Sequence, residues 1–237
     1  MKVALACTCS TGYVFFLKVL LKSILVNNPG KDYPFFVFHH MIGLIDGIHA
    51  LHPDDKKELE AIYPDIVFVS IDPDFYAENN KGIKYYSLEA FGLEGFDRVI
   101  YFGADMINLK PLDEMIDFPG DLCLTREKRR PDTFNNGGMI IDKKYLSHDL
   151  KNELIAYQQS WSQAYGTDQA LINQFFNGKI TEAPQRFNTL VTEADLLPIE
   201  TVVNLHYIIK PTTHDFLRRC HVRYLDIWQD YQKRSVT

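Results

Sequence analysis

Four cysteines among 237 residues, Cys7, Cys9, Cys123 and Cys220, are too few for a disulfide scaffold. Cys7 and Cys9 stand two apart at the end of a predicted strand, so their side chains share a face and do not bridge. Buried thiols of a reducing compartment are the expectation. Long apolar runs are missing too. Tyr13 to Val26 is interrupted by Lys18 and Lys22, falls short of a membrane span and reads as a buried first helix. Only Lys2 precedes it as a charged residue and no small-residue cleavage site follows, so a cytoplasmic protein is expected. There is no basic excess: the net charge of −6 counts against non-specific nucleic-acid binding. It leaves room for a nucleotide, whose phosphates one metal and one or two lysines can meet. No Gly-x-Gly-x-x-Gly follows the first strand, and neither a P-loop nor a Gly-x-Ser-x-Gly elbow occurs. Hydride transfer, P-loop chemistry and serine hydrolysis therefore lose their usual support.

What is present centres on Asp97-Arg-Val-Ile-Tyr-Phe-Gly-Ala-Asp105. Val99 to Phe102 has no position suited to water, so it reads as a strand buried on both faces of a mostly parallel sheet. Asp105 falls just past its carboxyl end, where open α/β sheets bind ligands. An acid there either holds a metal-bound phosphate or caps the next turn. Around this element, Lys2–Thr8, Phe35–His39 and Ile66–Ile71 read as strands. Tyr13–Asn27, Pro53–Ile62 and Lys84–Leu93 read as helices, a β/α alternation that predicts a parallel sheet covered on both sides. Beyond Asp105 the rhythm loosens. Asp121–Thr125, Gly138–Ile141 and Thr201–Ile208 are expected strands; Lys143–Ser160, Asp168–Phe176 and Asp215–Lys233 are expected helices. No repeat or linker divides the chain. Asn136-Gly137 suits a tight turn, Asp168 an N-cap, and His49 and His52 beside Pro53 a solvated or capping role rather than metal binding. The Arg126 to Arg130 loop suits a solvated basic face.

Several stretches, in order, resemble glycosyltransferase family 8, which includes glycogenin and bacterial lipopolysaccharide galactosyltransferases. They are Thr8-Cys-Ser-Thr-Gly-Tyr13, Tyr85-Tyr-Ser-Leu88, Phe96 to Asp105, Leu109-Lys-Pro-Leu-Asp-Glu114, Phe134-Asn-Asn-Gly137, Thr167-Asp-Gln-Ala-Leu-Ile-Asn173 and Asn204-Leu-His-Tyr-Ile-Ile-Lys-Pro211. The resemblance implies a GT-A fold in one domain over residues 1–237. Its nucleotide-binding half covers about 1–110, an irregular acceptor-side half about 111–213, and a terminal helix about 214–234. It implies a retaining transfer of glucose or galactose from a UDP-sugar to a glycan or other small acceptor, with manganese or magnesium.

The implied roles fall on residues that match the family's motifs. Asp105 and His206 are the metal ligands, and Asp105 also serves the donor. Thr8 and Tyr13 meet the base, and Lys84 (or Lys81) and Lys210 the diphosphate. Asn135, Asp168 and Gln169 lie about the donor sugar and the acceptor. The chain departs from the pattern at Gly103, which replaces the first acid of Asp-x-Asp, and at Thr212, which replaces a tryptophan after a shortened segment. Those departures favour the competing reading, a catalytically degenerate nucleotide-sugar-binding module. A third reading, a metal-dependent phosphohydrolase using Asp105 alone, is remote because the chain lacks the second acidic cluster that such enzymes need for two metals. No tyrosine lies in the Asn188 to Pro198 region, which argues against self-glucosylation. The aromatic and basic terminal helix suits either packing on the protein or a membrane surface.

Overall fold

The computed structural model describes residues 1–41, 50–76, 83–160, 167–208, 211 and 219–234. Among them, β1 (Val3–Thr8), β2 (Phe35–His40), β3 (Ile66–Ile71) and β4 (Arg98–Gly103) run parallel. A short strand β5 (Met106–Asn108) leaves for a second sheet. The chain then returns as β6 (Leu122–Arg126), β7 (Phe134–Asp142) and β8 (Thr181–Ala183). The large sheet has the order β3-β2-β1-β4-β7-β6-β8, and β7 alone runs against the rest. This is the mostly parallel sheet the sequence predicts. In the second sheet β5 pairs antiparallel with β10 (Asn204–His206), which pairs parallel with β9 (Thr189–Leu190).

The double burial of β4 follows from pleat alternation. Ile100 and Phe102 join the core under α1 (Val14–Asn27) and α2 (Pro53–Ile62). Val99 and Tyr101 join the core on the opposite face. There Ala4 and Ala6 of β1 leave space for Tyr85, Tyr86 and Leu88. Those residues lie in a run of 3-10 turns, Ile83–Gly92, where the spacing had predicted an α-helix. A brief α3 (Asp113–Ile116) precedes β6. On the Val99 face lie α4 (His148–Ser160) and α5 (Asp168–Phe175).

Helix α1 is apolar nearly all round because it has cores on two sides. Leu17, Leu20, Leu21 and Ile24 meet the large sheet, while Phe16 and Val19 meet the small sheet and α6 (Val222–Lys233). Trp228 stands edge-on to Phe15 and Phe16, at 5.9 and 6.2 Å. Tyr224, Trp228 and Tyr231 are buried there, so the aromatic face of the terminal helix packs on the protein. No helix of the described residues is long and apolar enough to cross a membrane.

Several expected boundaries shift. The helix predicted over Lys143–Ser160 is broken into a 3-10 turn and α4, with Ser147 Oγ accepting from Leu150 N at 3.1 Å. Thr201 ends a 3-10 turn and only Asn204–His206 is strand. The last predicted helix is interrupted before His221, whose ring accepts from Arg223 N and caps α6; residues 215–218 lie outside the described set. His52 caps α2, its Nδ1 accepting from Asp54 N at 3.2 Å, and His49 lies outside the described residues.

Candidate active site

The carboxyl ends of β1 and β4 open into a cleft of about 400 Å³, and β7, β10 and the start of α5 close its other sides. Thr8, Tyr13, Asp105, Asn135, Asp168, Gln169 and His206 all line it. Seven of the nine residues singled out from the sequence thus converge on one site. The remaining two are lysines: Lys210 and the side chain of Lys84 lie outside the described residues, as does the alternative Lys81.

Strand pairing brings Asp105 and His206 together. Met106 is the register partner of His206, and Tyr207 N donates to Asp105 O at 2.7 Å, so the two side chains emerge side by side. Asp105 Oδ1 stands 3.3 Å from His206 Nε2. That separation is close to the edge between adjacent ligands of an octahedral magnesium or manganese site, ~3 Å for bonds of ~2.1 Å. The oxygen and imidazole donors also suit such a cation. Among the described residues no third His, Cys, Asp or Glu completes the set. Gly103 stands beside the pair: a Cβ there would lie 2.9 Å from Asp105 Oδ1 and 3.5 Å from His206 Nε2.

Asp168 is positioned from three sides. Its Oδ2 accepts from Ser87 Oγ at 2.6 Å and Asn136 Nδ2 at 2.7 Å, and its Oδ1 from Gln169 N at 2.8 Å. Thr167, not Asp168, is the N-cap of α5, its side chain accepting from Ala170 N. The expected turn at Asn136-Gly137 is also corrected. These residues lie inside β7, where the register jumps from Leu124↔Met139 to Thr125↔Asn135. The bulge carries Asn136 and Gly137 to the cleft and interrupts the pairing, which resumes at Thr125↔Asn135 and Arg126↔Phe134.

The Arg126 to Arg130 stretch is not merely a solvated face. Glu127 in it is buried, and its carboxylate accepts from Gln169 Nε2 at 2.9 Å, Asn135 Nδ2 at 3.2 Å and Arg130 Nε at 2.7 Å. Burial opposes its ionisation, but the bonds from Arg130, Gln169 and Asn135 outweigh that and hold the carboxyl below its ordinary value. At the mouth, Tyr13 presents a half-exposed ring stacked on Phe16, and Thr8 Oγ1 accepts from the buried Tyr101 hydroxyl at 3.0 Å. Burial and the Asp105 charge push the Tyr13 phenol up, so it stays neutral.

Sequence reasoning missed Glu127, Asn136, Ser87 and Asn188. Glu127 carried a signal, a single acid within four cations, which asks where its charge is paired. Ser87 and Asn136 lay within stretches that carry the family resemblance but were given no role, and Asn188 carried no signal, because its partners are brought close only by the fold.

No protein-family model matches the chain, and no curated protein matches it by sequence. Solved structures do match in fold. A galactosyltransferase, LgtC, in complex with donor and acceptor sugar analogs superposes with a TM-score of 0.75 at 18% identity, over 99% of this chain and 97% of that one. The glycosyltransferase GlyE of Streptococcus pneumoniae TIGR4 gives 0.73 at 16% identity, over 99% of this chain and 62% of that one. The bifunctional glycosyltransferase WbbM gives 0.76 at 13%, over 99% of this chain and 50% of that one. The fold is the GT-A fold of glycosyltransferases, consistent with the likeness to family 8.

Proposed function

We propose that the protein is a cytoplasmic, retaining hexosyltransferase. It moves glucose or galactose from UDP to a glycan or other small acceptor, with help from a divalent cation. The observation that carries this reading is the meeting of Asp105–His206 with Asp168 and with Gln169–Glu127 around one cleft, in a glycosyltransferase fold. One structural neighbour, LgtC, was solved with donor and acceptor sugar analogs, which favours sugar chemistry for this site.

The geometry supports the following roles. Asp105 and His206 would hold the cation, and manganese or magnesium bound there would supply Lewis-acid assistance to the departing diphosphate. Tyr13 offers its ring face to the uracil and Thr8 lies beside it; the family likeness assigns Lys84 and Lys210 to the phosphates. Asp168, locked by Ser87 and Asn136, accepts hydroxyls of the donor sugar without having to reorganise. Gln169 and Asn135 sit at the reactive face, anchored to the Glu127 carboxylate.

Gly103 favours a second reading, a module that binds nucleotide sugar without transferring it. Calorimetry of UDP with and without manganese, on wild type and Asp105→Ala, tests the first. Manganese should tighten UDP binding by at least roughly tenfold, about 1.4 kcal/mol, and Asp105→Ala should remove that gain. Equal binding without metal defeats the metal-assisted reading. Binding with no UDP released from UDP-glucose or UDP-galactose across an acceptor panel leaves the binding module standing instead.

A further inference from the structure

A single line of hydrogen bonds crosses the wall of the cleft from Glu127 to His206, and its direction is fixed. The ionised Glu127 carboxylate only accepts, so Asn135 turns its Nδ2 toward it, at 3.2 Å, and its oxygen away. That oxygen also accepts from Gly137 N at 2.9 Å, a backbone donor that cannot be reversed. Both neighbours therefore impose the same orientation on Asn135. The second donor to its oxygen is Asn188 Nδ2, at 2.7 Å, which leaves the Asn188 oxygen for His206 Nδ1 at 3.0 Å. An amide oxygen only accepts, so Nδ1 carries the ring hydrogen. In the neutral ring Nε2, 3.3 Å from Asp105 Oδ1, is then the lone-pair nitrogen.

Next to a carboxylate this is not the arrangement an unconstrained neutral imidazole would choose. It would place its hydrogen on Nε2 and donate to Asp105, which would occupy both side chains with each other. The network opposes that choice. Its members are shielded from water: Glu127 is 8%, Asn188 1% and His206 7% exposed. Close packing holds the ring in place as well, since a Cβ at Gly137 would fall 2.3 Å from His206 Cε1 and 2.7 Å from Nδ1.

We infer that Asn135, oriented by both Glu127 and Gly137 N, is a positioning residue. Acting through Asn188, it fixes the Nδ1–H tautomer of His206 and keeps Nε2 available as a ligand beside Asp105. The purpose of that tautomer rests on the metal-assisted reading above; the tautomer itself is a property of the unloaded protein.

Nitrogen-15 NMR of histidine-labelled protein, recorded on the neutral ring and assigned with His206→Gln, reads it directly. Wild type should show Nδ1 protonated and Nε2 bare. Asn135→Leu, two links from the ring, takes away the acceptor that orients Asn188 and should move the hydrogen to Nε2, while Glu127→Gln and Glu127→Met, in which Gly137 N still holds the Asn135 oxygen, should keep the wild-type pattern. Asn188→Leu removes the acceptor of Nδ1 itself and decides the matter if Asn135→Leu does not fold. In parallel, manganese affinity measured by EPR with UDP present should fall roughly 10- to 100-fold in Asn135→Leu, the usual range for losing a group that orients a ligand. A wild-type ring protonated on Nε2, or a folded Asn135→Leu and Asn188→Leu with the wild-type tautomer, overturns the inference. A wild type that binds no manganese removes the metal-assisted reading and leaves the tautomer to judge this one.

Discussion

Two glycines set what the Asp105–His206 pair can do. At Gly103 an added side chain would stand beside the pair, and the nearest atom it meets, Asp105 Oδ1 at 2.9 Å, is the movable end of a side chain. Gly103→Asp should therefore be accommodated and should supply a third ligand. Manganese affinity without nucleotide should rise about tenfold or more, read by EPR titration; an unchanged affinity would mean the pair is not where the cation binds. Gly137 is the opposite case, because there the neighbour is the His206 ring itself. Glu127 adds a pH dependence. Its folded-state pKa is lowered from 4.5, so the stabilisation it provides is present above that value and is lost as pH falls through the folded pKa. Urea midpoints of wild type and Glu127→Gln should thus differ most near neutrality and converge in acid. A gap that widens in acid would reverse the sign and remove the charge argument.

Among the elements, α1 and β5 are joined by buried amides. Asn28 Nδ2 donates to Asn108 Oδ1 at 2.9 Å, Asn108 Nδ2 to Asn204 Oδ1 at 2.9 Å, and Asn28 Oδ1 accepts from Leu112 N at 2.8 Å. Asn108→Leu would leave buried partners unsatisfied, at about 2 kcal/mol, and should lower Tm by about 4–8 °C in calorimetry. A change under a degree would show the network to be dispensable. These contacts also mark how far the sequence could be read. Strands β1 to β4 were legible because their apolar runs fill both faces of a sheet, and helix α2 because Pro53 and its acids announce its start. Strand β7 was cut short because Asn135-Asn-Gly-Gly138 has poor strand propensity, and a register jump against β6 overrode it. Asp105, Asn135, Asp168, Gln169 and His206 were recognisable from local motifs. Their connections were not, since Asn135 and Asn188, 53 positions apart, meet only once both sheets are in place.

For the molecule as a whole, the cleft sits where the two sheets meet: the chain leaves the carboxyl end of β4, the central strand of the large sheet, for β5 of the small one, β5 pairs with β10, and the Asp105–His206 pair lies across the join. A ligand held by both residues therefore ties the two sheets together and must stabilise the fold by mass action. At ligand concentrations about 100 times Kd the gain is ~2.7 kcal/mol, which for a chain of this size raises Tm by about 5–10 °C. UDP with manganese should give that shift in wild type, and Asp105→Ala should lose the part that depends on manganese. Asn108→Leu should start from a lower Tm and still show the full shift, because its amides brace α1 against β5 and touch nothing in the cleft. A shift lost equally in both variants would mean that the cleft forms only as firmly as its scaffold. A shift that UDP alone reproduces would move the binding energy from the cation to Tyr13, Thr8 and the lysines.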